Sequence, residues 1–250
     1  MKKTTTTMAM PAIVEITDEK DQKETSDHIE EVFRYFNKIN ETFSPFKETS
    51  EIFKLNEKKI STSQLSSEVK HILKLAAETH KLSGGYFDIV YKGHLDPSGI
   101  VKGWAINNGA EILKNHGYEN YYVEIAGDIQ TSGHHKEDNF WKIGIRNPLK
   151  TSEIVKVVNL KGQGIATSGT YMQGVHIYDP VNRKKANELL ALTVIGPNVY
   201  EADRFATAAF AMGKAGINFI ASRPGLAGYA IDHEGVATYT TDFEKYVANN

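Results

Sequence analysis

Between residues 27 and 43 apolar side chains recur at helical spacing: Ile29, Val32, Phe33, Phe36, Ile39 and Phe43 fall on one stripe. This predicts an amphipathic helix, with Asp27 and Glu30 as a capping pair at its start. The pattern breaks at Pro45 within FSPFKETSEIFKLN. A second helix is predicted over 67–82 through Val69, Ile72, Leu73 and Ala76, stopped by Gly84-Gly85. A short apolar run, YFDIV, and a turn at GHLDPSG follow. A third helix is predicted from Ile100 to His116, with Trp104, Ile112 and Leu113 on its apolar side and Gly117 as its stop.

From Tyr121 the pattern changes to strands: YYVEIAGDIQ, FWKIGIRNP, EIVKVVNL, QGIATSG, GVHIYDP and LLALTVIG. EADRFATAAFAMG then reads as a largely buried helix ending at Gly213, followed by a short helix at INFIAS and a closing hairpin of GYAIDHEG and VATYTT. At the other end, MAMPAIVEIT reads as a first strand behind a disordered threonine tail, residues 1–7. Helices dominate the first half and antiparallel strands the second. With no internal repeat and no Gly/Ser linker, this predicts one compact α+β domain over residues 8–246.

Composition narrows the function classes. The chain has 250 residues, 40% apolar and 24% charged, with a net charge of −2. That balance argues against a nucleic-acid partner or a polybasic membrane surface. The absence of cysteine excludes thiolate catalysis, cysteine metal sites and disulfides. There is no apolar run long enough to insert in a membrane, and the start of the chain is a poor signal peptide, so a cytoplasmic protein is expected.

Four segments place polar residues where the pattern expects core. In EADRFAT, Asp203 and Thr207 are four apart and share a helix face. They read either as a helix-start acid with a back-bonded threonine, or as oxygen ligands for a hard cation such as Mg²⁺. In LDPSGIVKGWA, Asp96-Pro97 opens a helix, Gly99 permits close approach and Lys102 sits in the first turn. This suits a phosphate or simple capping, and lacks the spacing of a Walker loop. In IATSGTYMQGVHIYDP, a hydroxyl-rich turn at Thr167-Ser168-Gly169 precedes His176, which is either a core histidine or a site residue. In EIAGDIQTSG, Gly127-Asp128 suggests a bulge or a strand-end turn.

Taken together, these segments resemble the ApbE-type flavin transferases, the FAD:protein FMN transferases. FSPFKETSEIFKLN, GGYFDIV, LDPSGIVKGWA, AGDIQTSG, IATSG, HIYDP and EADRFAT occur in that family's order, nearly end to end. The departures are Ala126 where the family usually has glycine, Phe46 for the commoner tyrosine, DPVNRKK without the glycine that often follows the Asp-Pro turn, and a short segment between Asp88 and Asp96.

The resemblance implies Mg²⁺-dependent transfer of the FMN half of FAD to a Ser or Thr hydroxyl of a client flavoprotein, with release of AMP. It implies a metal held by Asp203, Thr207 and the Gly99 carbonyl, with the Ala206 carbonyl approaching. It implies flavin or adenosine contacts from Met8, Phe46, Tyr86, Phe87, Asp88 and Asp96, a phosphate contact from Lys102, and His176 as cofactor contact and base for the incoming hydroxyl. Two alternatives stay open. A Mg²⁺-dependent FAD pyrophosphatase would use the same metal site with water as acceptor, and a flavin-binding protein without turnover would release no AMP.

Overall fold

A computed structural model describes residues 1–136, 138–170 and 178–248. In chain order the elements are β1 (Lys2–Thr7), β2 (Met10–Ile16), α1 (Gln22–Phe43), α2 (Glu51–Asn56), α3 (Ser67–Leu82), β3 (Val90–Tyr91), β4 (His94–Leu95) and α4 (Ser98–Asn115). Strands β5 (Tyr121–Ile125), β6 (Asp128–Ser132), β7 (Trp141–Arg146), β8 (Ile154–Leu160), β9 (Gly164–Gly169), β10 (Tyr178–Asp179), β11 (Lys184–Lys185) and β12 (Leu189–Gly196) follow. The chain closes with α5 (Val199–Ala211), α6 (Gly216–Ala221), β13 (Ala227–Asp232) and β14 (Ala237–Tyr239).

Eight strands form one antiparallel sheet in the order β1-β2-β5-β6-β9-β12-β13-β14. Helices α1, α4 and α5 cover one face, with α4 packed between the other two. The β7–β8 ribbon covers part of the opposite face: Trp141, Ile143, Ile145, Val158 and Leu160 pack with Ile129, Ile165, Ile195 and Phe243. Strand β12 is covered on both sides, Val194 facing the helical core and Ile195 the ribbon core. This explains its unbroken apolar run, since alternation is expected only where one face meets water.

Helix starts follow local capping chemistry. Ser50, Ser66 and Asn198 accept from the backbone N–H of Phe53, Val69 and Glu201. Helix α1 begins earlier than its apolar stripe predicts, because Asp21 caps it by accepting from the Glu24 N–H. Asp27 and Glu30 therefore lie inside the helix and cap nothing.

The threonine tract corrects the expectation of a disordered tail. Residues 2–7 pair in register with β2, from Lys2 opposite Glu15 to Thr7 opposite Met10. Threonine is β-branched and favours strands, so the low-complexity appearance concealed strand propensity. Met8 and Ala9, at φ 51° and 59°, form the two-residue turn between them. YYVEIAGDIQ is likewise two strands: Ala126 and Gly127, at φ 52° and 91°, turn β5 into β6. Ala126 thus holds a left-handed conformation that glycine adopts without strain. IATSG is also part of strand β9, not a turn.

Candidate active site

Helices α4 and α5 meet where Gly103 faces Asp203. A Cβ at Gly103 would stand 2.6 Å from the Asp203 Cβ, so only glycine lets the helices come this close. The Gly103 N–H donates to Asp203 Oδ2 at 2.7 Å. Asp203 is 4% exposed, and Asp128, placed by the β5–β6 turn, is 1% exposed. The Thr167 N–H donates to Asp128 Oδ1 at 3.0 Å, and Lys102 Nζ forms an ion pair with Asp128 Oδ2 at 2.7 Å. Two buried carboxylates thus stand against one ammonium. Beside them Ser168 Oγ and Thr207 Oγ1 are 3.3 Å apart, and a Cβ at Gly99 would lie 3.3 Å from Thr207 Cγ2.

Burial raises the Asp203 carboxyl from its ordinary 3.8 to about 7, with the Lys102 charge opposing the rise and Asp128 adding to it. In the metal-free protein the folded state therefore holds a proton that the unfolded chain releases between about pH 4 and pH 7. Stability from this group is complete below pH 4 and is lost as pH rises through 7. Asp203→Asn should flatten that dependence. Melting temperatures of the two metal-free proteins from pH 5 to pH 8 check it, and an unchanged slope would contradict it.

The donor set near Asp203 is all oxygen: two carboxylates, two hydroxyls and backbone at a helix start. It matches a hard cation that keeps several waters and takes one or two carboxylates. Among the described residues no group of three or more His, Asp or Glu side chains is arranged for a metal.

One cavity of about 1850 Å³ gathers most of the predicted residues: Met8, Phe46, Tyr86, Phe87, Asp88, Asp96, Gly99, Lys102, Asp203 and Thr207 all line it. Their burial differs. Phe46 is 85% exposed at the rim, whereas Phe87 is part of the core and offers its ring edge beside Gly99. Asp88 and Asp96 are exposed and shape their turns, accepting from the Val90 and Ser98 N–H groups. Lys102 is not simply a cation aimed at phosphate, because its ammonium is engaged with Asp128. Ala206 does not line the cavity; its methyl group is buried among the α5 core residues. His176 lies outside the described residues.

Sequence reading picked out the segments that hold Asp128 and Ser168 but gave neither residue a place in the site, and it passed over the Tyr122–Glu124 pair. The signal for Asp128 was present, since a Gly-Asp pair interrupted an apolar strand. Tyr122, whose hydroxyl donates to Glu124, gave none, because a tyrosine in a strand is ordinary.

The fold and this oxygen-rich site define a domain built around a large cavity with a buried acid pair. The family model described as "ApbE family" matches residues 6–94 and 91–230, and the chain belongs to that family. The two matched stretches overlap over residues 91–94, within the β3–β4 hairpin. Among curated relatives, an Escherichia coli K12 protein named FAD:protein FMN transferase is 31% identical over 152 residues, 57% of this chain and 43% of that protein. A Haemophilus influenzae protein of the same name is 29% identical over 190 residues, 69% of this chain and 54% of its own length. The chain thus spans about half the length of these relatives. Two solved structures share the fold: an ApbE protein from Thermotoga maritima, with a TM-score of 0.88 at 21% identity, covering 100% of this chain and 99% of that one, and the flavin transferase ApbE from Vibrio cholerae, with a TM-score of 0.84 at 21% identity, covering 98% of each.

Proposed function

We propose that this chain transfers the FMN moiety of FAD to a Ser or Thr hydroxyl of a client flavoprotein and releases AMP. The observation that supports it most is the buried Lys102–Asp128–Asp203 cluster beside Thr207, set in the wall of a cavity large enough for a dinucleotide. Family membership and the names of the relatives agree with it.

In this reading the acceptor oxygen forms a bond to the flavin-side phosphorus as the bond from that phosphorus to the AMP oxygen breaks. The hydroxyl proton passes to a base, a role assigned to His176 on the family resemblance. Asp203, Thr207 and the Gly99 carbonyl would hold Mg²⁺, which supplies charge neutralisation at the pyrophosphate when bound. Asp128, fixed by the Thr167 N–H, holds the Lys102 ammonium in place, and that ammonium offsets part of the negative charge of the two carboxylates. Ser168 positions the Thr207 hydroxyl. The apolar stretch from Met8 through Phe46 and Tyr86 receives the flavin or adenine ring. Catalysis here is mainly positioning and electrostatics, as expected for phosphoryl transfer.

Phe46 at the open rim stacks on a ring, an interaction worth about 0.5–1.5 kcal/mol beyond burial. Phe46→Ala should therefore weaken FAD binding up to about tenfold. Titration by flavin fluorescence checks this, and an unchanged affinity removes Phe46 from the site. The activity itself is tested by AMP release from FAD in the presence of Mg²⁺, with and without an acceptor protein.

A further inference from the structure

Strand β7 forms part of the cavity wall: all of its residues from Trp141 to Arg146 line it. Strand β7 pairs only with β8 among the described residues. Which of its backbone groups are free follows from the other edge of β8. The Ala248 N–H donates to the Val157 carbonyl, and Val158 bridges Val247 there, so Val157 directs its backbone groups away from β7. Gly144 is opposite Val157 and Lys142 opposite Asn159, two residues along. In an antiparallel pair such positions alternate. The N–H and C=O of Lys142 and Gly144 therefore point off the free edge of β7, while Trp141, Ile143 and Ile145 bond to β8.

Unpaired strand edges are templates for another extended chain. The side chains next to this one are consistent with use. Trp141 stands 5.6 Å from Tyr122, ring centre to ring centre, and the lining runs from there through Ile129 and Ile165 to Thr167, Ser168 and Asp203. Arg146, at the end of the edge, makes no ion pair among the described residues, its NH1 donating only to the Thr151 carbonyl at 3.3 Å.

We propose that the free edge of β7 receives an extended segment of the client flavoprotein by strand addition, next to the hydroxyl that accepts FMN. Main-chain pairing with Lys142 and Gly144 supplies register, and Arg146 favours a carboxylate on the incoming segment. The inference rests on the transfer reading above. A small ligand would leave these unpaired, regularly spaced edge groups unused, whereas an extended peptide matches them.

The test compares Gly144→Pro with Gly144→Ala. Both place a Cβ against Ile154, 2.9 Å from its Cδ1, but only proline removes the edge N–H. The probe is a flavin-free acceptor domain of a flavoprotein that one of the named relatives modifies, assayed with FAD and Mg²⁺. Gly144→Pro should raise the KM for that domain at least about tenfold over Gly144→Ala, leaving the KM for FAD and the dissociation constant of FAD within twofold. Equal KM values for the domain overturn the proposal, as does an effect on FAD alone. If Gly144→Pro does not fold, Lys142→Pro against Lys142→Ala poses the same question. Hydrogen exchange on the wild-type chain is the independent measurement: the Lys142 and Gly144 amides should slow when the domain binds, and unchanged exchange overturns the proposal. A wild-type chain that neither transfers FMN nor releases AMP refutes the transfer reading itself, before any variant is compared.

Discussion

Asp203→Ala should lower AMP release from FAD by at least about 10²- to 10³-fold at saturating FAD and Mg²⁺, the usual cost of removing one preorganised electrostatic group. The chain has placed a carboxylate where folding alone would not keep one. It is buried, it shares its surroundings with a second carboxylate, and its proton affinity is raised by that burial. A buried acid of this kind is costly unless something compensates it. Removing it should leave α5 formed, since alanine is the best helix former and α5 already carries five alanines, Ala202 beside Asp203 among them. Loss of rate should therefore occur at unchanged circular dichroism. Full turnover by the folded variant would remove Asp203 from the chemistry.

Lys102→Met should produce the largest loss of stability. The Lys102 side chain is 21% exposed and its ammonium is 2.7 Å from a carboxylate that is almost wholly buried. Breaking a buried pair by removing one partner typically costs about 3–5 kcal/mol, and the lower end applies because Lys102 keeps some contact with solvent. The sign of the pH dependence separates this from a packing defect. Without the ammonium, which opposes the rise at Asp203, that carboxyl takes up a proton more readily in the folded chain, so the penalty shrinks as pH falls and grows as it rises. Urea unfolding at pH 5 and pH 8 measures it. A loss equal at both values would mean that Lys102 contributes packing and not charge.

Much of the fold was legible because its periodicities are undiluted. The stripe from Ile29 to Phe43 and the helix over 67–82 are seen where their spacing places them, and Gly213, at φ 64°, follows the end of α5. The failures have local causes. Thr4 to Thr7 look like a tail by composition but are β-branched residues on an edge strand. Ala126 concealed a turn because alanine rarely takes positive φ. The site followed the same division. Asp203 and Thr207 were legible from their i, i+4 spacing on an apolar helix, which needs no tertiary information. Asp128 gained its role only when the β5–β6 turn carried it to Lys102, a contact between residues 26 apart that no local pattern encodes. The free edge of β7 was equally invisible, because pairing partners are a property of the sheet and not of the strand.

The most direct test of the central claim is the mass of the acceptor. The chain is incubated with FAD, Mg²⁺ and a flavin-free flavoprotein domain, the domain is weighed by mass spectrometry, and AMP is quantified in the same reaction. Transfer predicts a domain heavier by one FMN residue, lost when its acceptor hydroxyl is replaced, with one AMP formed for each modified molecule. AMP and free FMN with an unmodified domain would identify a pyrophosphatase and contradict the account, and flavin binding without AMP would contradict it altogether.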